Sequence, residues 1–161
     1  MTTAAVIGLG TMGPGIAATL CRGGMKVTAF DVSAEQRAKA PQSIKTATAV
    51  LANLGMPDRS NGAEVQIGDS LEASVNGAGL VVETVPEKLD VKATVFQAID
   101  KAVGKSCVIA SNTSGIPITK LQAGNSAPGT SMLVNFVPSA LRNRASNSYA
   151  RPAPMAASRV A

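Results

Sequence analysis

Gly8, Gly10 and Gly13 fall at the spacing of a turn that can hold a pyrophosphate, in the run Gly8-Leu9-Gly10-Thr11-Met12-Gly13, and Asp31 closes the next apolar run. Residues 4–7 read as a short buried strand and residues 16–20 as the body of a helix, so the glycines occupy a strand-to-helix turn. Gly8 permits the tight turn, Gly10 lets the backbone approach a phosphate without a Cβ in the way, and Gly13 lets the helix pack closely on the sheet. Free N–H groups at the helix start, with the helix dipole behind them, suit an anion. Pro14 is compatible with this, because the first helical turn does not need its N–H. A second strand over residues 25–30 then delivers Asp31, eighteen residues after Gly13. A carboxylate there accepts hydrogen bonds from the adenosine ribose and repels a 2′-phosphate, which points to NAD rather than NADP. Glycine turns are common; it is the order strand, turn, helix, strand, acid that carries the reading.

These residues need a scaffold. A chain of 161 residues suits one domain with a substantial core. Aliphatic residues and alanine abound, aromatics make up 2%, and strands alternate with helices. That mix favours an α/β fold, a Rossmann-type doubly wound and mainly parallel sheet. Ser33 reads as the N-cap of a helix running toward Leu54, with Gln36 three residues on and a kink or break near Pro41. Residues 64–67 read as a strand, 71–75 as a short helix, and 80–85 as a buried strand ending in polar residues. Pro86 and Glu87 open an amphipathic helix whose apolar face is Leu89, Val95, Phe96, Ile99 and Val103. Residues 107–110 form the next strand, which runs into Ser111-Asn112-Thr113-Ser114-Gly115. Asp31, the segment 83–87 and the segment 111–114 therefore lie at carboxyl ends of strands, the edge where an open α/β sheet binds ligands.

Composition narrows the function classes. Cys21 and Cys107 fall in a helix and a strand and read as buried apolar residues, which suggests a reducing, cytoplasmic setting. Neither a CxxC pair nor any histidine occurs, which argues against a zinc site. The first charged residue is Arg22, yet the N-terminal segment lacks the basic start of a signal peptide, and no stretch has the length of a membrane span. Residues 1–100 carry eight Lys/Arg against ten Asp/Glu, whereas residues 101–161 carry seven Lys/Arg and no acid. The basic residues are scattered without aromatic partners, so neither nucleic acid nor a membrane is expected as a partner.

Together these segments resemble the NAD-binding domain of the 3-hydroxyacyl-CoA dehydrogenases. The resemblance covers residues 4 to about 124 and rests on the glycine turn, Asp31, the stretch Glu83-Thr84-Val85-Pro86-Glu87-Lys88-Leu89-Asp90-Val91-Lys92, and Ser111-Asn112-Thr113-Ser114. The last two stretches discriminate, since many dehydrogenases share the turn. The resemblance implies NAD-dependent oxidation of an L-3-hydroxyacyl thioester to the 3-keto form, on 3-hydroxyacyl-CoA or a related 3-hydroxy acid. It implies that Gly8, Leu9, Gly10, Thr11, Met12, Gly13, Asp31, Glu87, Lys92 and Asn112 bind the cofactor, Glu87 and Lys92 beside its nicotinamide half. It implies too that Ser114 hydrogen-bonds the reacting oxygen; a serine hydroxyl orients that oxygen but is a poor base. Taken alone, Lys92 reads as a solvated helix residue and Ser114 as a turn or helix cap.

The family's base is a histidine in a His-x-x-Asn-Pro context, followed by a glutamate. This chain has no histidine, and Asp100 is its last carboxylate. Residues 132–138 occupy the corresponding stretch and are expected to keep its strand, with Asn135 a loose match to the family's asparagine. Lys120 and Tyr149 can accept a proton in principle, with no support from spacing. The family's helical domain, which completes the cleft and forms its usual dimer, is also expected to be missing. Residues 1–138 are thus read as the NAD-binding domain, truncated and inactive alone, and residues 139–161, rich in Ala, Pro, Ser and Arg, as a disordered tail. The abrupt change in composition suggests a shifted reading frame near residue 125, with a genuine short protein as the alternative. Other readings are a 3-hydroxyisobutyrate-type dehydrogenase, which the segments 83–92 and 111–114 oppose, a non-catalytic NAD-binding module, and an unstable fragment.

Overall fold

Along the central strands successive side chains are buried on opposite faces, as a sheet covered by helices on both sides requires. In β1 (Thr3–Ile7), Ala5 and Ile7 join one core while Ala4 and Val6 join the other. In β4 (Leu80–Glu83) and β5 (Val108–Ser111), Val81 and Ile109 face the first core, Val82 and Ala110 the second. The computed structural model describes residues 2–121, 123 and 131–133.

The chain runs through β1, α1 (Gly13–Arg22), β2 (Lys26–Phe30), α2 (Ala34–Asn53), β3 (Gln66–Ile67), α3 (Leu71–Val75), β4, α4 (Leu89–Ala102), β5, α5 (Ile118–Leu121) and β6 (Ser131–Leu133). The six strands are ordered β3-β2-β1-β4-β5-β6 and each neighbouring pair is parallel. This is the doubly wound Rossmann order, with the reversal of winding between β1 and β4. Helices α3, α4 and α5 cover one face, where Val75, Phe96, Ile99 and Leu121 fill the core. Helices α1 and α2 cover the other through Ile16, Ala17 and Ala40. Small side chains at Ala4, Ala17, Ala29 and Ala110 let α1 lie close to the strands.

Local signals account for most boundaries. The Ser33 hydroxyl accepts from the Gln36 N–H at 3.3 Å, so α2 begins at the expected cap, and Ser70 caps α3 in the same way by accepting from the Ala73 N–H at 3.1 Å. Cys21 and Cys107 are free and buried. β6 appears at the start of the stretch expected to keep a strand, pairing Ala110 with Met132.

Four expectations are corrected. Helix α2 is continuous through Pro41 rather than broken there, because its buried contact comes from the preceding residue, Ala40, while Pro41 itself is exposed. β3 spans two residues rather than four, since only Gln66 and Ile67 find partners on β2. Helix α4 starts at Leu89, not at Pro86: the Lys88 N–H closes a turn onto the Pro86 carbonyl at 2.7 Å, and Glu87 turns away to another loop. Leu89, assigned to the apolar face, is 44% exposed, while Lys92 takes the buried position. Residues 134–161, including Asn135, Tyr149, the domain boundary at 138 and the expected disordered tail, lie outside the described residues.

Pro41 deprives the Arg37 carbonyl of its helical donor at a helix-interior position. Pro41→Ala restores that bond, partly offset by a freer unfolded chain. We expect a net gain of about 1–2 kcal/mol in urea unfolding; an unchanged or lower midpoint would show that α2 tolerates the proline without strain.

Candidate active-site edge

The glycine turn depends on close approach to β4. Gly8 adopts a φ of +104°, and a Cβ there would lie 2.8 Å from the Thr84 carbonyl carbon. Thr84, immediately after β4, donates its hydroxyl to the Gly8 carbonyl at 2.7 Å, and its N–H to the Ile7 carbonyl at 2.7 Å. The Gly13 requirement is tighter than helix–sheet packing: a Cβ would stand 2.0 Å from the Gly8 oxygen. Gly10 differs, for a Cβ there meets nothing within 4 Å. Its hydrogen therefore leaves space for something other than the chain itself. Gly10, Thr11 and Met12 are exposed, Leu9 is buried, and α1 has neither a side-chain cap nor an acid in its first turn. The start of α1 thus presents unneutralised N–H groups to the edge.

Asp31 closes β2 beside this turn. One carboxylate oxygen accepts from the Leu9 N–H at 2.7 Å and the other from the Ser33 N–H at 2.8 Å. These bonds fix the carboxylate and leave each oxygen a further lone pair. Asp31 borders a cavity of about 370 Å³ whose other walls include Gly8, Val32, Leu71, Pro86 and Val91. Apolar walls around a held carboxylate suit an adenosine: the base gains burial and the ribose hydroxyls gain an acceptor.

Lys92 is not the solvated residue that its type suggests. It has no exposed side-chain surface, and neither has its partner Glu83. The ammonium lies 2.9 and 3.1 Å from the two Glu83 oxygens, 3.0 Å from the Val85 carbonyl and 3.5 Å from a Glu87 oxygen. Glu83 also accepts from the Val85 N–H and the Ser111 hydroxyl, both at 2.6 Å. A lysine has three protons to donate, and chain oxygens take them.

Glu87 links this buried cluster to the loop after β5. One of its oxygens accepts from the Thr113 hydroxyl, the Ser114 N–H at 3.2 Å and the Gly115 N–H at 3.0 Å. Burial pushes the Glu87 carboxyl up, but Thr113, the Gly115 N–H, Lys92 and the Ser114 N–H together hold it below its ordinary pKa. Asn112 donates its N–H to the Glu83 carbonyl at 2.9 Å, continuing the β4–β5 pairing, and Ser114 stands exposed beyond it. Lys120 is exposed on α5.

The structure thus brings the glycine turn, Asp31, Glu87, Asn112 and Ser114 to one edge and puts Lys92 behind it. Sequence reasoning missed Thr84, Glu83 as the lysine's partner, and Ser111. The signal was present for the Glu83–Lys92 pair alone: Lys92 falls three residues after Leu89 and four before Phe96, on the apolar stripe, and Glu83 ends an apolar strand.

A Rossmann sheet with a glycine turn at its switch point and a fixed carboxylate after β2 defines the dinucleotide-binding domain of an oxidoreductase. The family model described as 3-hydroxyacyl-CoA dehydrogenase, NAD binding domain, matches residues 3–140, and the chain belongs to that family, with NAD as its cofactor. It is 48% identical over 125 residues to a 5-formyl-3-hydroxy-2-methylpyridine 4-carboxylate 5-dehydrogenase of Mesorhizobium japonicum, covering 77% of this chain and 40% of that protein. It is 33% identical over 124 residues to an L-carnitine dehydrogenase of Streptomyces coelicolor, covering 77% and 39%. Among solved structures it resembles an NAD+-dependent 5-formyl-3-hydroxy-2-methylpyridine 4-carboxylic acid 5-dehydrogenase, with a TM-score of 0.77 at 45% identity over 83% of this chain and 44% of that one. The chain spans about 40% of the length of those two curated relatives. No helix among the described residues is long and apolar enough to cross a membrane.

Two outcomes follow from the buried cluster. Lys92→Met strands the Glu83 carboxylate and should cost about 3–5 kcal/mol, whereas the double change with Glu83→Gln should cost clearly less than the sum of the single changes; additive losses in urea melts would mean the pair is not coupled. Because the Glu87 pKa is lowered on folding, its contribution is complete above the unfolded value, near 4.5, and fades as pH falls through the folded one. The stability advantage of the natural chain over Glu87→Gln should therefore shrink on acidification below that value, and an advantage that grows would reverse the sign of the shift.

Proposed function

We propose that the chain is the cofactor-binding part of an enzyme that interconverts an L-3-hydroxyacyl thioester and its 3-keto form, the fatty-acid-type substrate of the family. The observation that carries this reading is the convergence of the glycine turn, Asp31, Glu87 and Ser114 on one sheet edge, in the segments that distinguish the family. When bound, NAD supplies the hydride acceptor. Residues 8–13 would hold its pyrophosphate, Asp31 its adenosine ribose, and Asn112 the side of the nicotinamide pocket. Glu87 keeps the Ser114 segment in place, and Ser114 orients the substrate oxygen. Lys92 acts indirectly, by anchoring Glu83 and Glu87.

Orientation alone does not remove the hydroxyl proton. No histidine occurs in these 161 residues, so they do not supply the family's histidine base. Dimerisation would belong to the family's helical domain, with neither nucleic acid nor a membrane as a partner. Two free buried thiols favour a reducing compartment, the cytoplasm.

A second substrate reading has specific support. The 48% identity to the pyridine-carboxylate dehydrogenase supports, as the alternative, a small ring acid bearing an aldehyde.

Fluorescence titration with NADH is the direct test. The natural chain should bind, and Gly10→Ala, which meets no neighbour within 4 Å, should fold normally yet bind at least about tenfold more weakly. Equal affinities would remove the pyrophosphate from the turn. In the presence of NADH, acetoacetyl-CoA should perturb the signal without turnover; a response to the pyridine carboxylate instead would select the second substrate.

A further inference from the structure

The peptide between Gly8 and Leu9 is held at both of its polar ends. Its carbonyl oxygen accepts from the Thr84 hydroxyl at 2.7 Å, and its N–H donates to the Asp31 carboxylate at 2.7 Å. In a planar trans peptide these two groups point in opposite directions, so the two bonds together fix the orientation of the unit. Gly8, at a φ of +104°, adds little restraint of its own. A hydroxyl has one proton to give. Thr84 Oγ1 lies 3.4 Å from the Ile7 carbonyl, so that proton goes to Gly8, and the Thr84 N–H serves Ile7 at 2.7 Å. Thr84 is half-buried and directly follows Glu83, whose carboxylate is tied to Lys92 and Ser111. The end of β4 therefore sets its position, independently of the turn that it holds.

The Gly8 oxygen stands against the first residue of α1, since a Cβ on Gly13 would come within 2.0 Å of it. A carbonyl oxygen carries partial negative charge, and this one adjoins the helix end whose N–H groups suit an anion. Left without a donor, it would oppose an incoming phosphate, and the peptide could turn the Leu9 N–H away from Asp31. We propose that Thr84 is a positioning residue for the dinucleotide pyrophosphate. Its hydroxyl proton offsets the charge on the Gly8 oxygen and locks the turn in the form that receives the phosphates. This deepens the assignment of residues 8–13 to the pyrophosphate and rests on it.

Two ligands separate positioning from folding: NADH, which carries the pyrophosphate, and adenosine, which carries no phosphate. Both are titrated against the full chain, with the fold checked by circular dichroism. Thr84→Val keeps the branched shape and removes the proton. It should weaken NADH at least about tenfold and adenosine less than about threefold, because the Ser33 N–H still holds Asp31. Thr84→Ser keeps the proton and should bind NADH within about threefold of the natural chain. Equal losses of both ligands in Thr84→Val, an unchanged NADH affinity, or a loss as large in Thr84→Ser would make Thr84 a packing residue and overturn the proposal. Should Thr84→Val not fold, Thr84→Ala, which equally lacks the proton, takes its place under the same criteria. Where adenosine binds too weakly to measure, the rescue by serine decides. A natural chain that binds no NADH removes the pyrophosphate assignment and the role of Thr84 with it; NADH binding that the variants leave unmoved removes the role of Thr84 alone.

Discussion

An ammonium and a carboxylate buried together at the carboxyl edge of the sheet constrain everything around them. Glu83 and Lys92 have no exposed side-chain surface, so neither charge can be satisfied by water. Each is satisfied by the chain, and the satisfying groups come from different elements: β4 and the residues after it, α4, and Ser111 of β5. To keep the pair closed, the end of β4, the first turn of α4 and the end of β5 must hold one arrangement. That arrangement determines where the Glu87 carboxylate stands, and through Glu87 the segment 113–115. An apolar core would hold the same elements together without specifying this loop, because hydrophobic burial is non-directional.

The glycine turn answers to the same edge from the other side of the switch point. β1 and β4 are neighbours, so residues just after them face each other, and Thr84 binds the Gly8 carbonyl. The tight turn is therefore shaped by a residue 76 positions away as much as by its own glycines. Asp31 adds the third tie through the Leu9 N–H. Three loops from three strands are cross-linked by polar bonds, which gives a rigid rim suited to a ligand that spans it.

Much of this was legible along the chain. Glycine spacing announced the turn, the capping pattern at Ser33 announced α2, and the short helix over 71–75 was read with its correct limits. Two of the misreadings share one cause. Pro86 and Glu87 have the look of a helix start, but Glu87 finds better donors in Thr113, Ser114 and Gly115, and the helix begins after it. Lys92 has the look of a surface residue, but a carboxylate nine positions earlier meets it inside the core. In both, a partner absent from the local window outweighed local propensity.

The sequence by itself determined the period-two burial of the strands, the helix caps, the order of elements and the chemical types at the strand ends, and with them the NAD-binding fold. These depend on neighbours within a few residues and on hydrophobic patterning, both of which a linear chain displays. Tertiary structure decided which polar side chains stand at the open edge and which are internal ties. Glu83, Lys92 and Ser111 became ties, while Asp31 was left fixed beside a cavity and Ser114 exposed at the edge. The physical reason is that a polar group's role depends on whether water or another chain atom completes its hydrogen bonds, and that is settled only when β1, β4 and β5 come side by side.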